Sequence, residues 1–172
     1  MNLSRALRLD SSLGKSIAFV GAGGKTTAMF QLARELIELP STVLRPRSAF
    51  VTATSHLGTR QIPLADHHII AKLPEEIGAI PEGVILFTSP IEGDRTQPIN
   101  SSVLSWLREI VAKEKIPLLI EADGSRGLPL KAPAAHEPPI PDFMETVVVV
   151  AGLSGLQKPI ADEFVFRSER FR

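Results

Sequence analysis

A short loop of small residues constrains this chain more than any other feature. Gly21-Ala22-Gly23-Gly24 separates a compact apolar run, Ser16 to Val20, from a helical pattern that opens with Lys25-Thr26-Thr27. Backbone N–H groups curl around phosphate oxygens only where side chains do not block the approach, and these four residues leave the loop nearly bare. The helix that follows adds the partial positive charge of its first turn. Lys25 stands where an ammonium reaches β- and γ-phosphates, Thr26 where a hydroxyl ligates Mg²⁺, and Thr27 where another phosphate contact falls. Gly21, Ala22, Gly23, Gly24, Lys25, Thr26 and Thr27 are therefore expected to hold a nucleoside triphosphate, ATP or GTP, with Mg²⁺.

The loop is a short variant, G-x-x-G-K-T-T. The generic phosphate-loop pattern has a glycine five positions before Gly24, and that position is Phe19. Phe19 and Val20 belong to the strand, so the loop still closes. The short form is similar to that of the Mur ligases.

Downstream patterning places the loop in an α/β chain. Leu3, Leu7 and Leu9 suggest a short amphipathic helix over 3–9. From Lys25 to Leu39, Phe30, Ala33, Leu36 and Ile37 recur at helical spacing, and Pro40 ends the run. Strands are expected at 49–53, 68–71, 83–88, 117–120 and 146–151. Asn100, Ser101 and Ser102 offer an N-cap to a helix whose apolar stripe is Val103, Trp106, Leu107, Ile110 and Val111. The stretch from Leu128 to Pro141 is too rich in proline for a helix or a central strand, and reads as loop. Apolar strands alternating with helices predict a three-layer α/β fold with a mainly parallel sheet flanked by helices, of the P-loop NTPase type. Ligands bind at the C-terminal edge of such sheets. The whole chain, 1–172, is expected to be one nucleotide-binding domain.

That edge carries an acidic pair. Glu121 and Asp123 follow the strand ending at Ile120, and residues two apart on a strand share a side. Asp123 is the expected Mg²⁺ ligand, with Glu121 as base or second metal contact; the roles are interchangeable on this pattern. With Lys25 they form the candidate catalytic set, and with Thr26 the candidate metal set. Gly124-Ser125-Arg126-Gly127 reads as a turn able to respond to a γ-phosphate, which makes Arg126 a candidate phosphate contact, and Lys131 can reach the same edge. Thr52, Thr54, Ser55 and His56 end the second strand, and Thr54 is the candidate contact among them. His67 and His68 lie on opposite faces of a short strand, so at most one is partly buried. His136 has no metal spacing to another histidine and is a candidate substrate contact.

Composition excludes several classes. The chain has no cysteine, which removes disulfides, thiolate metal sites and a cysteine nucleophile. Net charge is zero without a long basic or acidic block, which argues against nucleic acid or an anionic membrane as the main partner. No stretch reaches membrane-spanning length and the N-terminus lacks a leader's apolar core, so a cytoplasmic protein is expected.

Taken together, the motifs resemble the YqeC family. The resemblance rests on the loop from Gly21 to Thr27, on Thr52-Ala53-Thr54, on the run from Glu121-Ala122-Asp123-Gly124 through Pro133, and on His136-Glu137-Pro138. Ala151-Gly152-Leu153, Gly155 and Lys158-Pro159 look like a further family segment. The resemblance implies a P-loop NTPase-like fold and a role as accessory protein to selenium-dependent molybdenum hydroxylases, with the hydroxylase or its cofactor-maturation proteins as partners. Two departures stand out. Phe166-Arg167 occupies the place of a His-Arg pair, and the chain ends at Arg172 without a C-terminal base-recognition strand. A sheet so shortened is expected to expose an edge and to favour a homodimer. Hydrolysis of the triphosphate is the first expectation. Ligase- or kinase-like transfer, in which Glu121 or Lys131 serves an acceptor, and nucleotide binding without turnover are the alternatives.

Overall fold

Period-two alternation along the strands decides which side chains enter which layer. The computed structural model describes residues 2–9, 14–38, 47–135 and 137–171. Its elements are α1 (Leu3–Ala6), β1 (Ser16–Gly21), α2 (Lys25–Glu38), β2 (Ser48–Ala53), β3 (His67–Ile70), β4 (Gly83–Thr88), β5 (Ile91–Glu92) and β6 (Arg95–Thr96). After these come α3 (Ser101–Glu114), β7 (Leu118–Glu121), β8 (Leu130–Lys131), β9 (Thr146–Val150) and β10 (Val165–Phe166). Six strands form one sheet in the order β3-β4-β2-β7-β1-β9, parallel at every pairing.

Each strand feeds both faces. Ile17 and Phe19 of β1, Ala49 and Val51 of β2, Val84 and Leu86 of β4, and Leu119 of β7 pack with Met29, Phe30, Leu32, Ala33 and Leu36 of α2. Their strand neighbours Phe50, Ile85, Phe87, Leu118 and Ile120 pack on the opposite face with Val103, Leu107 and Val111 of α3. These are the two helix stripes expected from the sequence, and they give the three-layer α/β arrangement. Asn100 caps α3 by accepting from the Ser102 N–H at 2.9 Å. A different cover lies over Ala18, Val20 and Ala122, where Ile140 and Met144 of the proline-rich segment take the place of a helix. Small side chains on the strands leave room for irregular chain there.

A parallel sheet collects its strand C-termini along one edge. Gly21, Ala53, Thr88, Glu121 and Val150 end there, and the register sets Phe19 beside Glu121 and Glu121 beside Ala53. At the sheet's margin β9 pairs only with β1 among the described residues, and Val149 is 76% exposed.

Several boundaries differ from the sequence reading. The helix expected over 3–9 is only Leu3–Ala6, because Leu7 and Arg8 turn and Arg8 takes a left-handed φ of 56°. The proline-rich stretch is not all loop: Leu130–Lys131 pairs in parallel with Val165–Phe166. A two-residue strand is too short to show periodicity, and its partner lies more than thirty residues away. Glu121 is the last residue of its strand and not the first beyond it. Of the histidine pair, His67 is exposed and His68 half-buried, bonded to the Thr88 hydroxyl at 2.8 Å. Leu39 and Pro40, expected to end α2, and His136 lie outside the described residues.

Candidate functional site

The glycine loop is shaped by crowding behind it as much as by its open side. A Cβ on Gly23 would sit 2.5 Å from the Gly152 Cα and 2.9 Å from the Pro129 oxygen. Gly24 meets nothing within 4 Å, but its φ of 108° excludes an ordinary side chain. Gly152 N–H in turn donates to the Pro129 oxygen at 2.8 Å. The segments carrying Pro129 and Gly152 therefore form the back wall of the loop, and its front faces the cleft.

At the loop's floor the sequence-predicted residues converge. Lys25 is 3% exposed; its Nζ donates to the Gly21 oxygen at 2.8 Å and lies 3.4 Å from Asp123 Oδ1 and 3.7 Å from Glu121 Oε1. Gly21 N–H donates to Asp123 Oδ2 at 3.1 Å, which ties the acidic residue to the loop itself. The Thr26 hydroxyl donates to Glu121 Oε2 at 2.5 Å. Burial pushes the Glu121 carboxyl above its usual range, against the opposing pull of Lys25 and the Thr26 hydroxyl. A carboxyl raised in this way is a stronger proton acceptor than an ordinary one.

Mg²⁺ fits this donor set. Asp123 Oδ1 is buried and accepts no hydrogen bond, and it is grouped with the Thr26 hydroxyl and the Glu121 carboxylate through Lys25. All three donors are oxygens, the ligands a hard divalent ion requires. Among the described residues no group of three or more His, Asp or Glu side chains forms a cation cage. A site of this kind suits an ion that shares its ligands with phosphate and water.

The cleft in front of the loop has a volume of about 530 Å³. Gly23 to Thr27, Glu121 and the 124–127 turn form one side of it. Its other side is His56, Gly58 to Gln61, Asp94 and Arg95. Arg126 lines it as expected, with its guanidinium 5.0 Å from the Phe166 ring centroid. Thr54 and Lys131 do not. The Thr54 hydroxyl faces the Pro139 oxygen at 3.5 Å, and Thr52 is fully buried with its hydroxyl on the Phe87 oxygen at 2.8 Å.

Lys131 lies behind Asp123. Its side chain is 1% exposed, and its Nζ bonds Asp123 Oδ2 at 3.0 Å, the Gly124 oxygen at 2.8 Å and Glu137 Oε2 at 2.9 Å. Arg167 grips Glu137 with both nitrogens of its fork. The chain of charges Asp123–Lys131–Glu137–Arg167 ties the glycine loop to the turn after the last strand. Phe166 packs under three cations: Arg126, Lys131 and Arg167.

Burial opposes ionisation of Glu137, but the bonds from Arg167, Lys131 and the Ala134 N–H outweigh it and hold its carboxyl at about 2. The ordinary value is 4.5, so the folded value is depressed. Stability from this carboxylate is complete above the ordinary value and disappears as pH falls through the folded one. In urea melts, Glu137→Gln is expected to be less stable than the native chain at pH 6. The gap should close as pH is lowered from about 4.5 toward about 2. A gap independent of pH would show that the carboxylate's charge is not what stabilises.

Gln61 escaped the sequence reading. Its Nε2 donates to the Thr26 hydroxyl at 2.9 Å while its Oε1 accepts from the Gly58 N–H at 3.0 Å. It thus clamps the segment after β2 onto the candidate metal ligand. Glu137 and Arg167 were missed as ion-pair partners, and Arg60 and Arg95 as cleft residues. Gln61, Arg60 and Arg95 stand in no motif, and the segments holding Glu137 and Arg167 named no partner for them; only the polar Thr54-Ser55-His56 cluster hinted that the segment after β2 borders the site.

Comparison with known proteins agrees with the motifs. Residues 17–169 match the family described as YqeC protein. A protein of Escherichia coli (strain K12), described as uncharacterized protein YqeC, is 34% identical over 157 residues. The match takes in 90% of this chain and 58% of that relative, so the chain spans under two thirds of the relative's length. No solved structure matches the chain.

Proposed function

The chain belongs to the YqeC family, and from that premise we propose that it binds and hydrolyses a nucleoside triphosphate with Mg²⁺. We further propose that it does so as an accessory factor in selenium or molybdenum cofactor maturation for a hydroxylase. The observation carrying the first part is the buried cluster of Lys25, Thr26, Glu121 and Asp123 at the floor of a glycine loop. The second part is supported by the sequence resemblance from Glu121 to Pro138.

Each residue has a stated task in this reading. The N–H groups of the loop and the first turn of α2 receive phosphate oxygens, and Lys25 brings them a full positive charge. Thr26 and Asp123 hold the metal, whose charge offsets that of the phosphates when it is bound. Glu121, its carboxyl raised by burial, accepts the proton of the attacking oxygen. Gln61 keeps the Thr26 hydroxyl oriented. Arg126, on an exposed turn at the cleft, reaches the γ-phosphate. A second reading, transfer to an acceptor as in a ligase or kinase, draws on the cleft lining outside the loop, His56, Gly58 to Gln61, Asp94 and Arg95.

The test is a thermal-shift panel of ATP and GTP with and without Mg²⁺, followed by a phosphate-release assay. One nucleotide is expected to raise the melting temperature by several degrees only when Mg²⁺ is present, and to release phosphate. If neither nucleotide protects the protein, the proposal is wrong at its root. Protection without phosphate release restricts it to a binding module.

A further inference from the structure

The cleft is lined by more than the glycine loop, and the wall formed by the segment after β2 and by Asp94 and Arg95 is basic. Gln61 reaches the Thr26 hydroxyl, so the segment 58–61 faces the end of the loop where Lys25 and Thr26 meet β- and γ-phosphates. Past that point the lining is His56, Thr59, Arg60, Asp94 and Arg95. In phosphoryl chemistry the attacking group approaches in line with the leaving oxygen, from the side beyond the γ-phosphate. In the nucleotide reading, the wall that Gln61 anchors at Thr26 stands on that side.

This wall is a built surface and not a loose loop. Gly58 bridges Arg95 in an antiparallel β-contact, and Thr59 N–H donates to the Asp94 oxygen at 2.8 Å. Thr96 N–H donates to the Leu57 oxygen at 2.8 Å, and His56 Nδ1 lies 3.0 Å from the Thr96 oxygen. These bonds hold the Gly58 and Arg95 backbones side by side, with Arg60 two residues beyond Gly58 in the lining of the same cleft. Their charges are hardly compensated. Arg95 meets Asp94 only at 4.0 Å, with the Asp94 side chain 92% exposed, and such a contact contributes little. Among the described residues Arg60 has no carboxylate within ion-pair distance. Asp94 shares the wall, yet two arginines against one acid leave it positive.

We infer that Arg60 and Arg95 form a second anion site, which holds a phosphate or carboxylate group of a small-molecule ligand beside the γ-phosphate. Guanidinium forks bind either anion through paired hydrogen bonds. The cleft's volume of about 530 Å³ accommodates a ligand larger than water together with the phosphate tail. The inference rests on the nucleotide reading above for the identity of the neighbouring group.

The experiment is calorimetry on the full chain saturated with Mg²⁺ and a non-hydrolysable triphosphate analogue. Inorganic phosphate and citrate are titrated separately. One of them is expected to bind saturably, with phosphate the tighter for a phosphate-bearing ligand and citrate for a carboxylate. Arg60→Gln and Arg95→Gln should each weaken that binding at least about tenfold, the scale of a lost charged hydrogen bond, and leave analogue affinity within about twofold. The inference is overturned if neither anion binds, or if the substitutions weaken the analogue as much as the anion. Should the analogue itself fail to bind the native chain, the nucleotide reading falls. The anion titrations, repeated without analogue on the native chain and both variants, then still decide whether the arginines make a site.

Discussion

Replacing Lys25 with alanine is expected to lower affinity for the Mg²⁺–nucleotide complex by roughly 10² to 10⁴-fold and to abolish turnover. The estimate takes two lost charge-assisted contacts at about 1.5–3 kcal/mol each. A second effect has the opposite origin. Lys25 is the cation common to Glu121 and Asp123, and all three side chains are buried. Removing it leaves two like charges in a low-dielectric pocket, a loss on the order of 3–5 kcal/mol where a buried pair is broken. The Glu121 carboxyl, already pushed up by burial, relieves part of this by taking a proton. The variant's instability should therefore shrink as pH falls toward the acid range. Lys25→Met, which keeps most of the stem's packing, separates the two effects. Calorimetry and thermal melts on the same samples provide the check. A folded Lys25→Met protein with native nucleotide affinity would refute Lys25 as the phosphate cation.

The second large effect is expected at Lys131, and it falls on stability. Lys131→Met leaves Asp123 with the Gly21 N–H as its hydrogen-bond donor and breaks the charge chain to Glu137. With the lysine side chain 1% exposed, the cost is about 3–5 kcal/mol. For a chain of this length that lowers the melting temperature by roughly 6–20 °C. Because Lys131 and Glu137 are in contact, Lys131→Met with Glu137→Gln should cost clearly less than the sum of the single changes. A melting shift below about 2 °C would show that the buried chain contributes little. Nucleotide affinity measured at a temperature where the variant is folded distinguishes its roles. A small change fits a lysine lodged behind Asp123, and a loss comparable to Lys25→Met fits a direct phosphate contact.

The two lysines also show where sequence reasoning reaches and where it stops. The place of Lys25 at the loop's floor was legible because it follows from immediate neighbours: a bare loop before it and a helix N-terminus around it. Glu121 and Asp123 were legible as a pair at a strand end. Lys131 was legible only as a nearby cation, since its partner Glu137 sits across an irregular turn and Arg167 follows the last strand. Gln61, Arg60 and Arg95 carry no local pattern, and their place at the cleft depends on how the β5–β6 hairpin docks on the segment after β2. Gly23 was read as yielding space to phosphate, but Gly152, a residue 129 positions later, crowds it from behind.

By itself the sequence determined the alternation of strands and helices, the glycine loop between strand and helix, and the family resemblance. Each depends on side-chain periodicity or on residues a few positions apart, where chain connectivity alone fixes geometry. The tertiary structure decided the strand order, which brings β7 beside β1 so that Asp123 reaches the loop. It also decided which cations line the cleft and which are buried in ion pairs. Those outcomes rest on contacts between distant segments, whose pairing is set by the packing of two apolar faces and by the need of every buried charge for a partner.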